Sequence, residues 1–265
     1  MTIKIELTKL KPKLTEILNL LYRFRFLNRI QIQTILNHKH HSRITTWLKE
    51  LTEQEYIKQY YDKKLAALPA VYSLGTEGRK YLKANPENIK NITPNLLDRV
   101  WREDNFSLEF RNHCLFLVDI YLSLLSLTQK TKAKLNFYTQ TDIYGTQYLI
   151  LPNPDAYFAI TETKGSIKRY FLDIFDDIPP RAMRKRARQY FTYFSEGYWQ
   201  DHTDKPFPDI ILIFPNPRLQ KHLYYYIQQK LENESDLHFY LTTWGKIKTM
   251  GICKEILQKV KLAEE

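Results

Sequence analysis

Two carboxylates interrupt apolar, strand-like runs of this sequence: Asp155 follows Pro154 at the head of Ala-Tyr-Phe-Ala-Ile-Thr, and Asp173 lies between Leu172 and Ile174. A charge in such a setting is costly to bury without a partner, so the pair points to a metal or a DNA site. The runs that carry them, 151–161 and 169–177, flank a turn through Lys164, Gly165 and Ser166, the pattern of a β-hairpin. Just downstream, a helix expected from Pro180 to about Tyr198 gathers Arg181, Arg184, Lys185 and Arg188, while Met183, Ala187, Tyr190 and Phe194 form its buried stripe. Scattered charges usually mean a solvated helix face. This density of like charge beside the carboxylates favours a surface facing phosphates.

Composition sets the outer bounds. A chain of 265 residues, 43% hydrophobic and 14% aromatic, can bury a substantial core and is expected to hold two domains. Forty Lys and Arg against 29 Asp and Glu give a net charge of +11, which favours a polyanionic partner, nucleic acid being the commonest. Part of the lysine excess can also reflect A/T-rich codons, so the placement of charge carries more weight than its sum. Two distant cysteines without Cys-x-x-Cys spacing exclude a structural zinc of the usual kind and fit a reducing cytoplasm. The first ten residues lack the apolar core of a signal peptide, and the apolar run Cys114 to Leu127 is broken by Asp119 and too short to span a bilayer. Seven glycines, with no Gly-x-x-x-x-Gly-Lys loop, disfavour nucleotide hydrolysis.

The elements before the carboxylates come in a recognisable order. Leu14, Ile17, Leu18 and Leu21 have helical spacing, Asn28 caps a second short helix, and a third begins near Ser42 with Ile44, Trp47, Leu48 and Leu51 facing inward. Strand-like runs at 56–61 and 70–74, joined through Asp62, Lys63 and Lys64, precede a helix capped by Thr76. Three helices followed by a hairpin make a winged helix-turn-helix, expected over residues 1–85. In that arrangement the third helix offers Ser42, Arg43, Thr45, Thr46 and Lys49 to bases or phosphates, and the wing offers Lys58, Lys63 and Lys64. The alternative use of such a module is protein interaction. His38, His40 and His41 have no Cys or carboxylate at ligand spacing and are read as solvated or phosphate-facing, not as metal ligands.

Residues 86–95 read as a linker and 96–265 as a second domain. Its expected elements are a long helix from about Asp98 to Leu127, strands at 134–139, 148 or 155 to 161, and 170–175, the basic helix, a strand at 209–214, a helix at 217–231 and a strand at 237–243. A terminal helix over 254–262 is expected to follow. The class is α/β (α+β overall), in αβββαβ order with an αβ addition.

That order, with Pro154-Asp155 and Asp173, resembles the PD-(D/E)XK nuclease superfamily. The resemblance implies that Asp155 and Asp173 hold Mg²⁺ and that a lysine two residues after the second carboxylate orients the attacking water. Position 175 is Phe, and Lys185 on the following helix is the nearest substitute. The whole chain resembles the replication-relaxation family of plasmids and integrative elements. The matching features are the winged-helix run 14–82 with its Val71-Tyr-Ser-Leu-Gly-Thr-Glu-Gly78 junction, the helix beginning near His113, the Pro154-Asp155 strand, and Tyr170 to Asp177 followed by the basic helix ending in Tyr190 and Tyr193. A relaxase pattern is missing: His38-Lys39-His40 carries a charge at its centre, and nothing recognisable activates Tyr224, Tyr225 or Tyr226.

The reading that follows is a DNA-binding protein of a mobile element acting in replication, mobilisation or regulation, with a nuclease-like domain that has lost cutting. The rivals are a Mg²⁺-dependent endonuclease or nickase using Asp155, Asp173 and Lys185, and a DNA-bound scaffold that recruits a replication or transposition enzyme. Double-stranded DNA is the expected partner and a homodimer is compatible. Binding needs no cofactor, and Mg²⁺ enters only with catalysis.

Overall fold

The computed structural model describes residues 10–61, 68–86, 97, 107–231 and 236–262. The chain divides into two compact units, residues 1–119 and 120–265, and the division falls inside a long helix. Of the expected linker 86–95, only Pro86 belongs to the described residues, and Lys63 and Lys64 lie outside them.

In the first unit, α1 (Pro12–Phe24) opens on a proline, whose missing N–H is no loss at a helix start, and buries Leu14, Ile17, Leu18 and Leu21. α2 (Arg29–Ile35) is capped by Asn28 as expected: its Oδ1 accepts from the Gln31 N–H at 2.9 Å, and the Gln31 Oε1 accepts from the Asn28 N–H at 3.1 Å. This reciprocal pair satisfies two backbone donors that the helix leaves open. α3 (His41–Glu53) buries Ile44, Leu48 and Leu51, while Trp47 is half-buried with the His38 ring 5.1 Å away. Strands β1 (Leu27–Asn28), β2 (Ile57–Tyr60) and β3 (Val71–Leu74) form an antiparallel sheet in the order β1-β3-β2, followed by α4 (Thr76–Ala84). This is a winged helix-turn-helix.

The cap of α4 is Gly75, not the expected Thr76. The reason is steric. A Cβ at Gly75 would collide with the carbonyl oxygen of Glu55, and one at Gly78 with that of Tyr56, so the start of α4 can lie against that turn only through bare backbone.

The long helix α5 (Leu108–Lys130) has 23 residues and contains an 18-residue stretch of mean hydropathy 1.2, which by length and composition alone is enough to cross a membrane. The apolar run Cys114 to Leu127 lies within it. Its residues Cys114, Phe116, Leu117, Val118, Ile120 and Leu124 are buried. Its polar groups have partners: Asp119 accepts from Gln31 Nε2 at 2.7 Å in the first unit, and Ser123 Oγ accepts from the Ile252 N–H at 2.8 Å in the second.

The second unit is built on a six-stranded sheet, β4 (Lys134–Thr139), β5 (Ala156–Thr161), β6 (Ile167–Ile174), β7 (Asp209–Phe214), β8 (Phe239–Thr243) and β9 (Gln258–Lys259), in that spatial order. β4, β5 and β6 are antiparallel, β6, β7 and β8 parallel, and β9 antiparallel to β8. The parallel crossovers are α6 (Pro180–Ser195) with the short α7 (Tyr198–Thr203), and α8 (Pro217–Gln228); α9 (Trp244–Met250) follows β8. The expected αβββαβ order is present. β7, between two parallel neighbours, is buried from Ile210 to Phe214, as a strand covered on both faces must be. One face of the sheet packs Phe171, Phe175, Leu212 and Phe214 against Met183, Ala187 and Tyr190 of α6 and Leu223 and Ile227 of α8.

Two expectations fail in detail. The basic helix ends at Ser195, because Gly197 adopts a left-handed conformation (φ 69°) that separates α6 from α7. The tail 254–262 is a 3-10 turn at Lys254–Ile256 followed by β9, not a helix. Pairing of Gln258 with Leu241 and Lys259 with Tyr240 covers the open edge of β8, and Gln258 Oε1 also accepts from Gln220 Nε2 at 2.9 Å. These tertiary bonds outweigh local helical preference.

Candidate functional site

β5 and β6 pair with Ala156 opposite Leu172, and continuing that register by one residue sets Asp155 opposite Asp173. The hairpin therefore brings the two carboxylates together, as the sequence suggested. Asp155 stands just before the start of β5, where β6 has run out of ladder partners on that side while it still pairs with β7 on the other. Its Oδ2 accepts from the Ile174 N–H at 2.7 Å and so takes the place of the next backbone acceptor. Asp173 shares its face of β6 with Phe171 and Phe175 and points beneath α6.

What meets it there is Arg186. Its Nε donates to Asp173 Oδ2 at 2.6 Å and its Nη2 to Asp173 Oδ1 at 3.1 Å, a two-pronged pair in which both carboxylate oxygens are engaged. Two further donors are placed: Nη1 donates to the Pro152 carbonyl at 2.8 Å, and Nη2 also reaches Tyr190 Oη at 3.2 Å. The guanidinium carbon lies 4.6 Å from the Tyr190 ring centroid. Burial alone would lower the Arg186 pKa, but the negative charges of Asp173 and Asp155 outweigh it, and the pKa is raised. Tyr190, fully buried, has its hydroxyl pKa pushed far up by burial first and by the charge of Asp173 second. Arg186 is thus a fixed cation and Tyr190 a fixed neutral phenol.

Arg186 was not among the expected site residues, although its position was readable. It falls three residues after Met183 and four before Tyr190, on the buried stripe itself, where a cation requires a buried counter-charge. Lys185, one residue earlier and about 100° around the helix, is exposed. Phe175, at the position where a lysine was sought, packs 5.2 Å from the Phe214 ring.

A divalent cation does not fit these residues as they stand. Both oxygens of Asp173 face a guanidinium, one oxygen of Asp155 is held by a backbone amide, and a second positive ion there would be repelled by Arg186. Among the described residues, no group of three or more His, Cys, Asp or Glu side chains could hold a metal.

The other expected residues lie at the surface of their units. Arg181, Lys185 and Arg188 are exposed and Arg184 half-exposed on α6, a helix without a single Asp or Glu. Lys185 and Arg188 border an open cleft of about 500 Å³ between α6 and residues 147–151. In the first unit, Ser42, Arg43, Thr45, Thr46 and Lys49 are all exposed along one side of α3, with Lys49 3.7 Å from Glu53. Lys58 is half-buried on β2.

Fold and site together define a winged-helix protein whose second, αβββαβ domain closes a carboxylate pair with its own arginine. The chain belongs to the replication-relaxation family, whose model matches residues 18–210. No curated protein matches it. Among solved structures, it is similar to a variant of ZitR from Lactococcus lactis (20% identity, TM-score 0.27, 49% of this chain and 81% of that one). It is also similar to the adhesin competence repressor AdcR from Streptococcus pyogenes (19% identity, TM-score 0.27, 48% and 87%).

Proposed function

We propose that this protein binds double-stranded DNA of a plasmid or other mobile element, in the cytoplasm, and acts in that element's replication, mobilisation or regulation. The winged helix selects the site, and the second domain adds contacts through α6 without cutting the strand. The observation that carries the reading is α3: Ser42, Arg43, Thr45, Thr46 and Lys49 leave its buried side free for the core and present hydroxyls and cations on the other. A helix-turn-helix presents such a surface to the major groove. Family membership supports the link to replication.

The Arg186–Asp173 pair favours binding over cleavage, since the carboxylates that a Mg²⁺ nuclease needs are already occupied. The second domain is then a nuclease-like fold kept as a DNA-contacting or partner-contacting surface.

The test is fluorescence anisotropy on duplexes enriched from a random pool, with a plasmid topology gel in Mg²⁺ run in parallel. Arg43→Ala, Thr46→Ala and Lys49→Ala should each weaken binding and relax preference for the enriched sequence. Supercoiled plasmid should remain intact under conditions that shift it fully. Binding indifferent to all three substitutions would remove the winged helix as the reader. Nicked or linear product, abolished by Asp155→Ala and Asp173→Asn, would make the protein a nuclease.

A further inference from the structure

The cleft between α6 and residues 147–151 combines features that a duplex-binding surface does not need. Along α6 and its C-cap, Lys185, Arg188, Thr192 and Glu196 succeed one another at helical spacing, so cations line one end and the cap carboxylate the other. The opposite wall is apolar and aromatic. Leu151 is 75% exposed, the highest exposure among the protein's large described hydrophobic residues, and Tyr198 is 50% exposed. His202 stacks on both tyrosines of this rim, 5.6 Å from the Tyr148 ring at 16° and 6.3 Å from the Tyr198 ring at 27°.

The wall is also held in place. Tyr193 Oη donates to the Tyr148 carbonyl at 2.7 Å, and Arg186 Nη1 donates to the Pro152 carbonyl at 2.8 Å, so both ends of the segment are tied to α6. Leu151 and Tyr198 thus give a fixed rim of apolar and aromatic surface on the same cleft as the cations of α6. A duplex offers phosphates and base edges, which suit Lys185 and Arg188, but it hides base faces inside its stack. Only an unpaired strand offers a phosphate and a base face together.

We propose that this cleft takes one nucleotide of single-stranded DNA, with its phosphate at Lys185 and Arg188 and its base against Leu151 and Tyr198. Glu196 then accepts a hydrogen bond from a base N–H. The volume of about 500 Å³ lies in the range of small-ligand sites and accommodates one nucleotide. Arg186 acts here as a positioning residue, through the wall it holds. The proposal rests on the reading of the protein as DNA-binding and names a second form of DNA for it: duplex at the winged helix and the outer cations of α6, unpaired strand in the cleft beside them.

The experiment compares the full chain and its variants on an oligo-thymidine of about fifteen nucleotides, on the enriched duplex, and with thymidine monophosphate as competitor. Tyr198→Ala and Leu151→Ser should each weaken single-strand binding about tenfold, as loss of one stacked base does. Duplex affinity should stay within about twofold, and Tyr198→Phe should retain single-strand binding because the ring face is kept. Arg43→Ala should do the reverse, weakening duplex binding alone. Duplex binding without single-strand binding, or single-strand binding that neither cleft variant changes, overturns this proposal and leaves the winged-helix reading standing. Thymidine monophosphate that binds as tightly as the oligonucleotide, displacing it at equal concentration, would make a free nucleotide the ligand and overturn it too. No binding to DNA of either form would end both readings.

Discussion

Arg186 and Asp173 keep 9% and 10% of their side chains exposed, so removing either one leaves the other charged and buried. Arg186→Ala should therefore destabilise the second unit by about 3–5 kcal/mol in urea denaturation, well beyond a typical substitution. Replacing the pair, Arg186→Met with Asp173→Leu, should recover most of that loss, because no unpaired charge remains. A double variant as unstable as the single one would show that the pair holds the fold by more than mutual neutralisation. Asp209 behaves differently: burial raises its pKa above the ordinary 3.8, and the hydrogen bond from His238 only partly offsets this. Its contribution to stability is fully present below the ordinary value and is lost as pH rises through the raised one. Asp209→Asn should flatten that segment of the stability–pH curve in urea titrations across the acid range. Of these residues, the sequence disclosed the two carboxylates through their apolar neighbours. It hid Arg186 inside a run of visible cations, and only the phase of the helix separates it from Lys185.

At the level of elements, strands 134–139 and 209–214 stand where their β-branched and aromatic runs put them, because turn-forming residues bound both. The Asn28 cap was equally legible, since Asn at the cap and Gln three residues later form a local signal. Asn28→Ala should lower the stability of the first unit by about 1 kcal/mol in thermal or urea melts. β9 was not legible, as its form depends on the edge of β8, residues far away in sequence. Gly75 and Gly78 belong with it: nothing local says that two backbone carbonyls lie against them. Gly78→Ala forces backbone apart and should cost about 1–3 kcal/mol, read from a melt of the first unit. The same substitution at Gly165, which has nothing within 4 Å, meets no such contact and is opposed only by its left-handed φ of 86°.

For the whole molecule, a net charge of +11 sets the scale of salt dependence. Duplex affinity should fall steeply and linearly on a log–log plot against salt, and Arg181→Glu with Arg188→Glu should flatten that slope without changing which sequence is preferred. Unchanged slope would take α6 out of the DNA interface. The closed carboxylate pair has a consequence of another kind. A cation supplied by the medium can be exchanged, competed away or chelated, and a protein built around it depends on the ion's abundance. Here the balancing charge arrives with the polypeptide, covalently attached and permanently protonated, so EDTA should leave the melting temperature and DNA affinity unchanged. Folding of the second unit should then be the same at any local supply of divalent ions.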